Sequence, residues 1–199
     1  MFDWLAVLVE QGGAAGVALL MLAENVFPPI PSELIMPLAG YLAALGRLDW
    51  LAVLVAGTAG SVLGAWFWYW LGRALGHDRL MRLVARWGHW ATVSVAETEA
   101  ALAWFARRGE WAVFLGRMVP VVRTLISIPA GLNRMGQGRF LLLTAAGSLV
   151  WVAALTFAGW VLKEQYARVE GWLNPVTTLI VAGVLVTYVW RVVRMRARR

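Results

Sequence analysis

Two stretches of this 199-residue chain set charge and proline inside otherwise apolar sequence: Glu24-Asn25-Val26-Phe27-Pro28-Pro29-Ile30-Pro31-Ser32-Glu33, and Gly116-Arg117-Met118-Val119-Pro120-Val121-Val122-Arg123-Thr124. Proline lacks a backbone donor and crowds the preceding turn, so neither stretch can be a continuous helix. A guanidinium at the centre of a lipid-facing helix costs about 2.5 to 3.5 kcal/mol on insertion scales. Irregular backbone and charge at membrane depth are tolerated only where protein or a water-filled cavity surrounds them. An ionisable side chain so placed is a candidate for function, with a partner to be named.

That the surroundings are a membrane follows from composition. The chain is 61% hydrophobic and 15% charged, with a mean hydropathy of +0.68, which excludes an ordinary soluble domain and indicates an all-α polytopic membrane protein. Cysteine is absent, so disulfides and thiolate chemistry are excluded. The two histidines, His77 and His89, lie in a polar, arginine-bearing stretch and read as solvated or interfacial. No metal-ligand cluster and no cofactor motif occurs. The formal charge of +7 does not indicate nucleic acid, because the basic residues flank apolar runs and no aromatic-basic recognition module is present. Met1 to Glu10 lacks a basic n-region and carries two acids, so it reads as a short interfacial helix and not as a cleavable signal.

Residues 50–71, 140–162 and 174–190 are apolar runs of the length a bilayer requires, about 20 residues. Tryptophans such as Trp50, Trp160, Trp172 and Trp190 sit near their ends as interfacial anchors. Residues 12–46 cannot cross as one helix, since Pro28, Pro29, Pro31 and Pro37 interrupt them and each half is too short alone. They are expected to form a re-entrant helical hairpin. Residues 111–133, broken at Pro120 and Pro129 and charged at Arg117 and Arg123, form a second. Residues 72–110 alternate at helical spacing and predict amphipathic interfacial linker helices, the second opened by a Ser94–Glu97 capping box. Arginines between residues 73 and 108, after the second hairpin, and in the 191–199 tail place all three groups, and the C-terminus, in the cytoplasm.

An internal repeat organises these pieces. Pro29 to Gly40 (PIPSELIMPLAG) and Pro120 to Gly131 (PVVRTLISIPAG) agree without a gap at Pro, Leu, Ile, Ala and Gly, and the following spans share Ala59-Gly60-Ser61 and Ala146-Gly147-Ser148. The order hairpin, loop, span thus occurs twice, over residues 12–71 and 111–162, within a single membrane domain covering residues 1–199. A unit with one non-crossing hairpin and one span crosses once, so its second copy is inverted. Inverted repeats with broken helices meeting near the midplane are characteristic of secondary transporters, and matching interruptions point to the binding site.

If the tips meet, Arg117 and Arg123 offer planar forks suited to bidentate phosphate binding. Glu24 and Glu33 can exchange protons as their partners change, and Asn25, Ser32, Thr124 and Ser127 are supporting polar groups. The competing reading is a buried Glu–Arg fastening with no ligand. Two acids, two arginines and four polar neighbours exceed what fastening needs, so an anion-binding, proton-responsive cavity is preferred.

At these residues the chain resembles the DedA family, also described as SNARE-associated or VTT domain membrane proteins. The resemblance runs from about Gly12 to Leu162 and is carried by the acidic proline hairpin and by the Gly116–Thr124 signature continuing to Ala130-Gly131. It implies two opposed re-entrant hairpins and lipid movement across a cytoplasmic membrane: undecaprenyl phosphate in bacterial members, phosphatidylethanolamine or scrambled phospholipid in others. The family's essential acids correspond to Glu24 and Glu33, and its essential arginines to Arg117 and Arg123. Where some members have Gly-Asp, this chain has Ser32-Glu33, an acid longer by one methylene.

The resulting expectation is a flippase for a phosphate-bearing lipid, foremost undecaprenyl phosphate, with Arg117 and Arg123 on the phosphate and Glu24 and Glu33 coupling protons; a homo-oligomer is left open. One rival is a proton-coupled transporter of small ions or cationic solutes. Another is a membrane lipid phosphatase, disfavoured because neither histidine lies in a hairpin.

Overall fold

The computed structural model describes residues 3–27, 32–87 and 94–162. The expected span 174–190, the 191–199 tail, His89, and the hairpin prolines Pro28, Pro29 and Pro31 lie outside the described residues. Seven helices make up the rest: α1 (Asp3–Val26), α2 (Ser32–Ala44), α3 (Trp50–Trp87), α4 (Val95–Gly116), α5 (Pro120–Leu125), α6 (Ser127–Leu132) and α7 (Gln137–Val161). Every regular element among the described residues is a helix. By length and composition three helical stretches suit a bilayer crossing, Val7–Val26, Trp50–Trp87 and Gln137–Val161, the first broken at Gly13 and the second at Gly76.

Glycine decides where these helices turn. Gly13 (φ 55°, ψ −139°) sits inside α1 in a conformation open to glycine. The chain folds back there so closely that a Cβ on Gly16 would strike the Leu8 carbonyl. The N-terminal arm is therefore no free interfacial helix: Leu5 and Val9 are buried with Val17, Leu20, Met21, Ile35, Met36 and Val152. Helix α2 ends in a Schellman-type turn at Gly46 (φ 71°), where the Gly46 N–H donates to Ala43 O and the Arg47 N–H to Leu42 O. The exposed Arg47 then pairs with Glu10 at 2.9 Å, tying this corner to the N-terminal arm.

Helix α3 begins at Trp50 because Asp49 caps it, its Oδ1 accepting from the Ala52 N–H at 2.7 Å. It overruns the expected end at Leu71 and turns only at Gly76 (φ 69°). The straight part, Trp50 to Leu75, is roughly 39 Å long at 1.5 Å per residue, enough for the hydrocarbon core. Ser94 caps α4 through the reciprocal box with Glu97 that its sequence predicts. Helix α4 breaks at Arg108 (φ −132°, ψ 20°), dividing an outer arm from the arm that enters the second hairpin. Helix α7 has 25 residues and starts at Gln137, three residues before the expected span. Leu51, Val55, Leu63, Leu142, Val150 and Phe157 are exposed along α3 and α7, the pattern of helices that face lipid.

Where α3 and α7 meet the hairpins, glycines remove side chains so that backbones touch. A Cβ on Gly60 of α3 would collide with Ala18 O, and one on Gly147 of α7 with Phe114 O and Arg117; Gly40 lies on the Thr156 backbone and Gly131 on that of Tyr69. Gly72 meets Ile128, and Gly159 meets Pro37, in the same way. Each long helix thus packs against the first arm of its own hairpin and the second arm of the other.

Candidate functional site

The hairpin breaks place the charged residues. Helix α4 ends at Gly116, and Pro120 opens α5 at its first position, where a missing N–H costs nothing. A further break at Ile126 separates the six-residue α5 and α6. Arg117 therefore sits at the end of one arm and Arg123 in the short tip helix, both turned inward, with 2% and 5% of their surfaces exposed. Glu24 and Asn25 close α1 and are equally buried, at 3% and 1%.

Glu24 and Arg123 form an ion pair across the two hairpins, with Arg123 Nη2 donating to Glu24 Oε1. The second Glu24 oxygen accepts from Asn25 Nδ2 at 3.2 Å, and that amide also donates to Met21 O at 3.0 Å. Trp68 Nε1 donates to the Asn25 carbonyl at 2.8 Å, pinning the end of α1 to α3. The Arg123 guanidinium lies 6.0 Å from the centre of the Trp151 ring.

Arg117 is held differently. Its Nη2 donates to Ser127 Oγ at 2.7 Å, while Nε and Nη1 are buried with no hydrogen-bond partner among the described residues. Its guanidinium carbon lies 6.0 Å from the Phe140 ring centre. Arg117 and Arg123 line one small cavity with Asn25, Ser61, Ser148 and Trp151, about 10 Å³ open to water-sized groups. That is about enough for one water molecule.

Of the other expected residues, Ser32, Thr124 and Ser127 are buried. Ser32 Oγ is the acceptor of a long 3.4 Å bond from Trp151 Nε1. Glu33 lies in the first turn of α2, is half-buried, and has one carboxylate oxygen sealed off without a hydrogen-bond partner among the described residues. It is close enough for its charge to act on Glu24 but does not line the cavity. Pro120 is exposed and acts by starting a helix. Three cavity residues were not among the sequence candidates: Ser61, Ser148 and Trp151. Ser61 and Ser148 are the last residues of the matching Ala-Gly-Ser triplets, so the repeat was the signal that pointed to them.

With this geometry in place, comparison with known proteins gives the family. The VTT domain model matches residues 30–161. The chain belongs to the VTT domain family. A Staphylococcus aureus relative named undecaprenyl phosphate transporter A is 30% identical over 191 residues, 96% of this chain and 94% of its own. Its Bacillus subtilis namesake is 30% identical over 185 residues, 92% of this chain and 89% of that protein. A Lactococcus lactis relative is named alkaline phosphatase-like protein and is 38% identical over 176 residues, 88% of this chain and 82% of its own. No solved structure matches. Family membership and the long apolar helices together make this VTT domain protein an integral protein of the cell membrane.

Proposed function

We propose that this VTT domain protein is a transporter, not an enzyme, and that it moves a phosphate-bearing lipid, foremost undecaprenyl phosphate, across the cell membrane. The observation that carries the reading is Arg117: a buried guanidinium with two nitrogens unpartnered among the described residues, facing a cavity shared with a second arginine. Leaving a buried charged donor unsatisfied is costly. A phosphate oxygen supplies the acceptors that Arg117 lacks, and the planar fork suits bidentate binding. Two full-length relatives carry that lipid in their names.

The packing supports an inverted repeat over residues 12–71 and 111–162. Tyr69 lies as far beyond Gly60 as Thr156 lies beyond Gly147, and these are the residues against which Gly131 and Gly40 pack. Gly40 and Gly131 are themselves the last matched residues of the repeat. Exchanging the halves therefore exchanges the contacts. After the turn at Gly13, the inner arm of α1 is roughly 20 Å long, and so is the 13-residue α2. Neither reaches across a core of about 30 Å, which supports re-entrant hairpins.

A cavity with room for one water is closed to a phosphate, so transport requires the hairpin tips to part. Glu24 is placed to control this. Protonation removes the charge that binds it to Arg123, freeing that arginine for substrate, while Glu33 supplies the neighbouring negative charge. The arginine pattern supports a cytoplasmic side for residues 72–110, the α6–α7 connection and the C-terminus.

The test is reconstitution in vesicles with carrier-lipid flipping followed under a proton gradient. Wild type is expected to flip, and Arg117→Ala and Arg123→Ala to be severely impaired. Absence of flipping by wild type, or full flipping by both variants, sinks the assignment. The Lactococcus name makes hydrolysis a specific competitor, so inorganic phosphate release is measured in the same vesicles. Release at the rate of lipid disappearance would establish a phosphatase instead.

A further inference from the structure

We propose that the break in α4 holds a second anion site, suited to a lipid phosphate monoester headgroup and separated from the buried arginines by a stacked Tyr69–Phe140 pair. Its place on a transport path rests on the transporter reading above; its chemistry does not. A cavity of about 540 Å³ opens here, walled by Arg107, Arg108, Glu110 and Trp111 on α4, by Met135 in the α6–α7 connection and by Arg139 in the first turn of α7. Three guanidiniums face one carboxylate, and that carboxylate is taken: Glu110 Oε1 accepts from Arg139 Nη1 at 2.6 Å. Arg107 and Arg108 make no ion pair among the described residues, and the Arg107 Nε bond to Ala103 O, at 3.3 Å, is long.

The wall is also apolar where a lipid needs it to be. Trp111 is 69% exposed beside the arginines, and Phe105 forms a buried floor. Cationic and aromatic surface side by side match a phosphate attached to a hydrocarbon chain better than a free anion. The helix break at Arg108 sets adjacent arginines and Trp111 around one opening.

A connected series of contacts leads inward. Met135, on the cavity wall, accepts at its carbonyl from Tyr69 Oη. Tyr69 also accepts from Arg73 Nη1 at 2.9 Å. Its ring stacks on Phe140 with centroids 4.5 Å apart and planes 19° from parallel. Arg117 also lies against Phe140, its guanidinium carbon 6.0 Å from the ring centre. On the proposed path a headgroup moving between the two arginine sites passes this pair.

The test uses the full chain in nanodiscs of zwitterionic lipid with labelled farnesyl phosphate as the probe and inorganic phosphate as competitor. Arg107 and Arg108 are exposed, so the Arg107→Gln/Arg108→Gln variant is expected to fold. Arg117→Gln is expected to retain saturable probe binding, and adding the two outer substitutions to weaken that residual binding about tenfold or more, as losing charge-assisted bonds implies. The proposal is overturned if Arg117→Gln abolishes all binding, or if Arg107→Gln/Arg108→Gln leaves the residual binding unchanged. Equal competition by inorganic phosphate overturns the lipid-headgroup assignment. Failure of the transport reading looks different: wild type would bind the probe at the outer site yet flip no lipid.

Discussion

Arg117 and Arg123 come from one hairpin, face one cavity and are almost equally buried, yet their partners differ. Arg123 has a carboxylate from the other hairpin and an indole face beside it. Arg117 has one serine hydroxyl from its own hairpin. The first arginine thus bridges α1 and α5 through an ion pair, while the second has no charged partner among the described residues. Neither burial nor the number of hydrogen bonds separates the two, since each guanidinium donates one and Arg123 Nε is also buried without a partner among the described residues; the charge of the partner does.

The sharpest way to break the comparison is at the ion pair. Removing one member of a buried pair leaves the other charge uncompensated, a loss of about 3 to 5 kcal/mol. Glu24→Gln should therefore lower detergent-solubilised stability strongly, whereas Glu24→Gln combined with Arg123→Gln should recover much of the loss. A double-mutant cycle measured by thermal unfolding checks this. Additive effects would mean that the pair does not hold the hairpins together.

Arg117→Gln should behave oppositely. No carboxylate is stranded by the change, so stability should move little, while carrier-lipid flipping falls by at least about tenfold, the scale of one lost charged hydrogen bond. A variant that unfolds without any transport-specific defect would place Arg117 in the fastening with Arg123. A smaller effect is expected from Gly147→Ala, whose Cβ would meet Phe114 O at 2.7 Å and Arg117 Cβ at 2.9 Å. Overpacking of this kind costs about 1 to 3 kcal/mol. It displaces Arg117 and not Arg123, so the flipping defect should exceed that of Gly60→Ala, which presses on α1 instead.

The contrast between the arginines also marks how far the sequence could be read. Charge and proline inside apolar runs identified Glu24, Arg117 and Arg123, because lipid penalises each so heavily that only an interior position is stable. Ser32, Thr124 and Ser127 followed from their place beside those charges. The pairing itself was not legible: nothing in spacing says that Glu24 meets Arg123 and not Arg117, since the choice depends on how two broken hairpins cross. Trp151 was hidden because indoles in membrane spans are ordinarily anchors. The α3 overrun to Gly76 was missed because apolarity ends before helical backbone does, and the fold-back at Gly13 because two adjacent glycines within an apolar helix carry no period of their own. Gly40, Gly60, Gly131 and Gly147 were visible as matched positions of the repeat, but the backbones they touch were not.

The smallest predicted effect lies on the Arg117 side of the molecule and controls for the others. Arg134, between α6 and α7, has φ 51°, in the left-handed region, which costs a residue bearing a Cβ about 1 to 2 kcal/mol. Its N–H donates to Gly131 O at 3.0 Å and the next, Met135, to Ala130 O at 3.0 Å, so the turn is fixed by the end of α6. Arg134→Gly removes the Cβ penalty but adds roughly 0.5 to 1 kcal/mol of backbone entropy in the unfolded chain. The difference favours the variant by about 0.5 to 1 kcal/mol, readable as a small rise in thermal midpoint. Because the backbone path to Met135 is kept, flipping should remain at the wild-type level. A loss of flipping with a rise in stability would show that this turn must move, and would shift attention from the arginine pair to the connection that carries Met135 and Phe140.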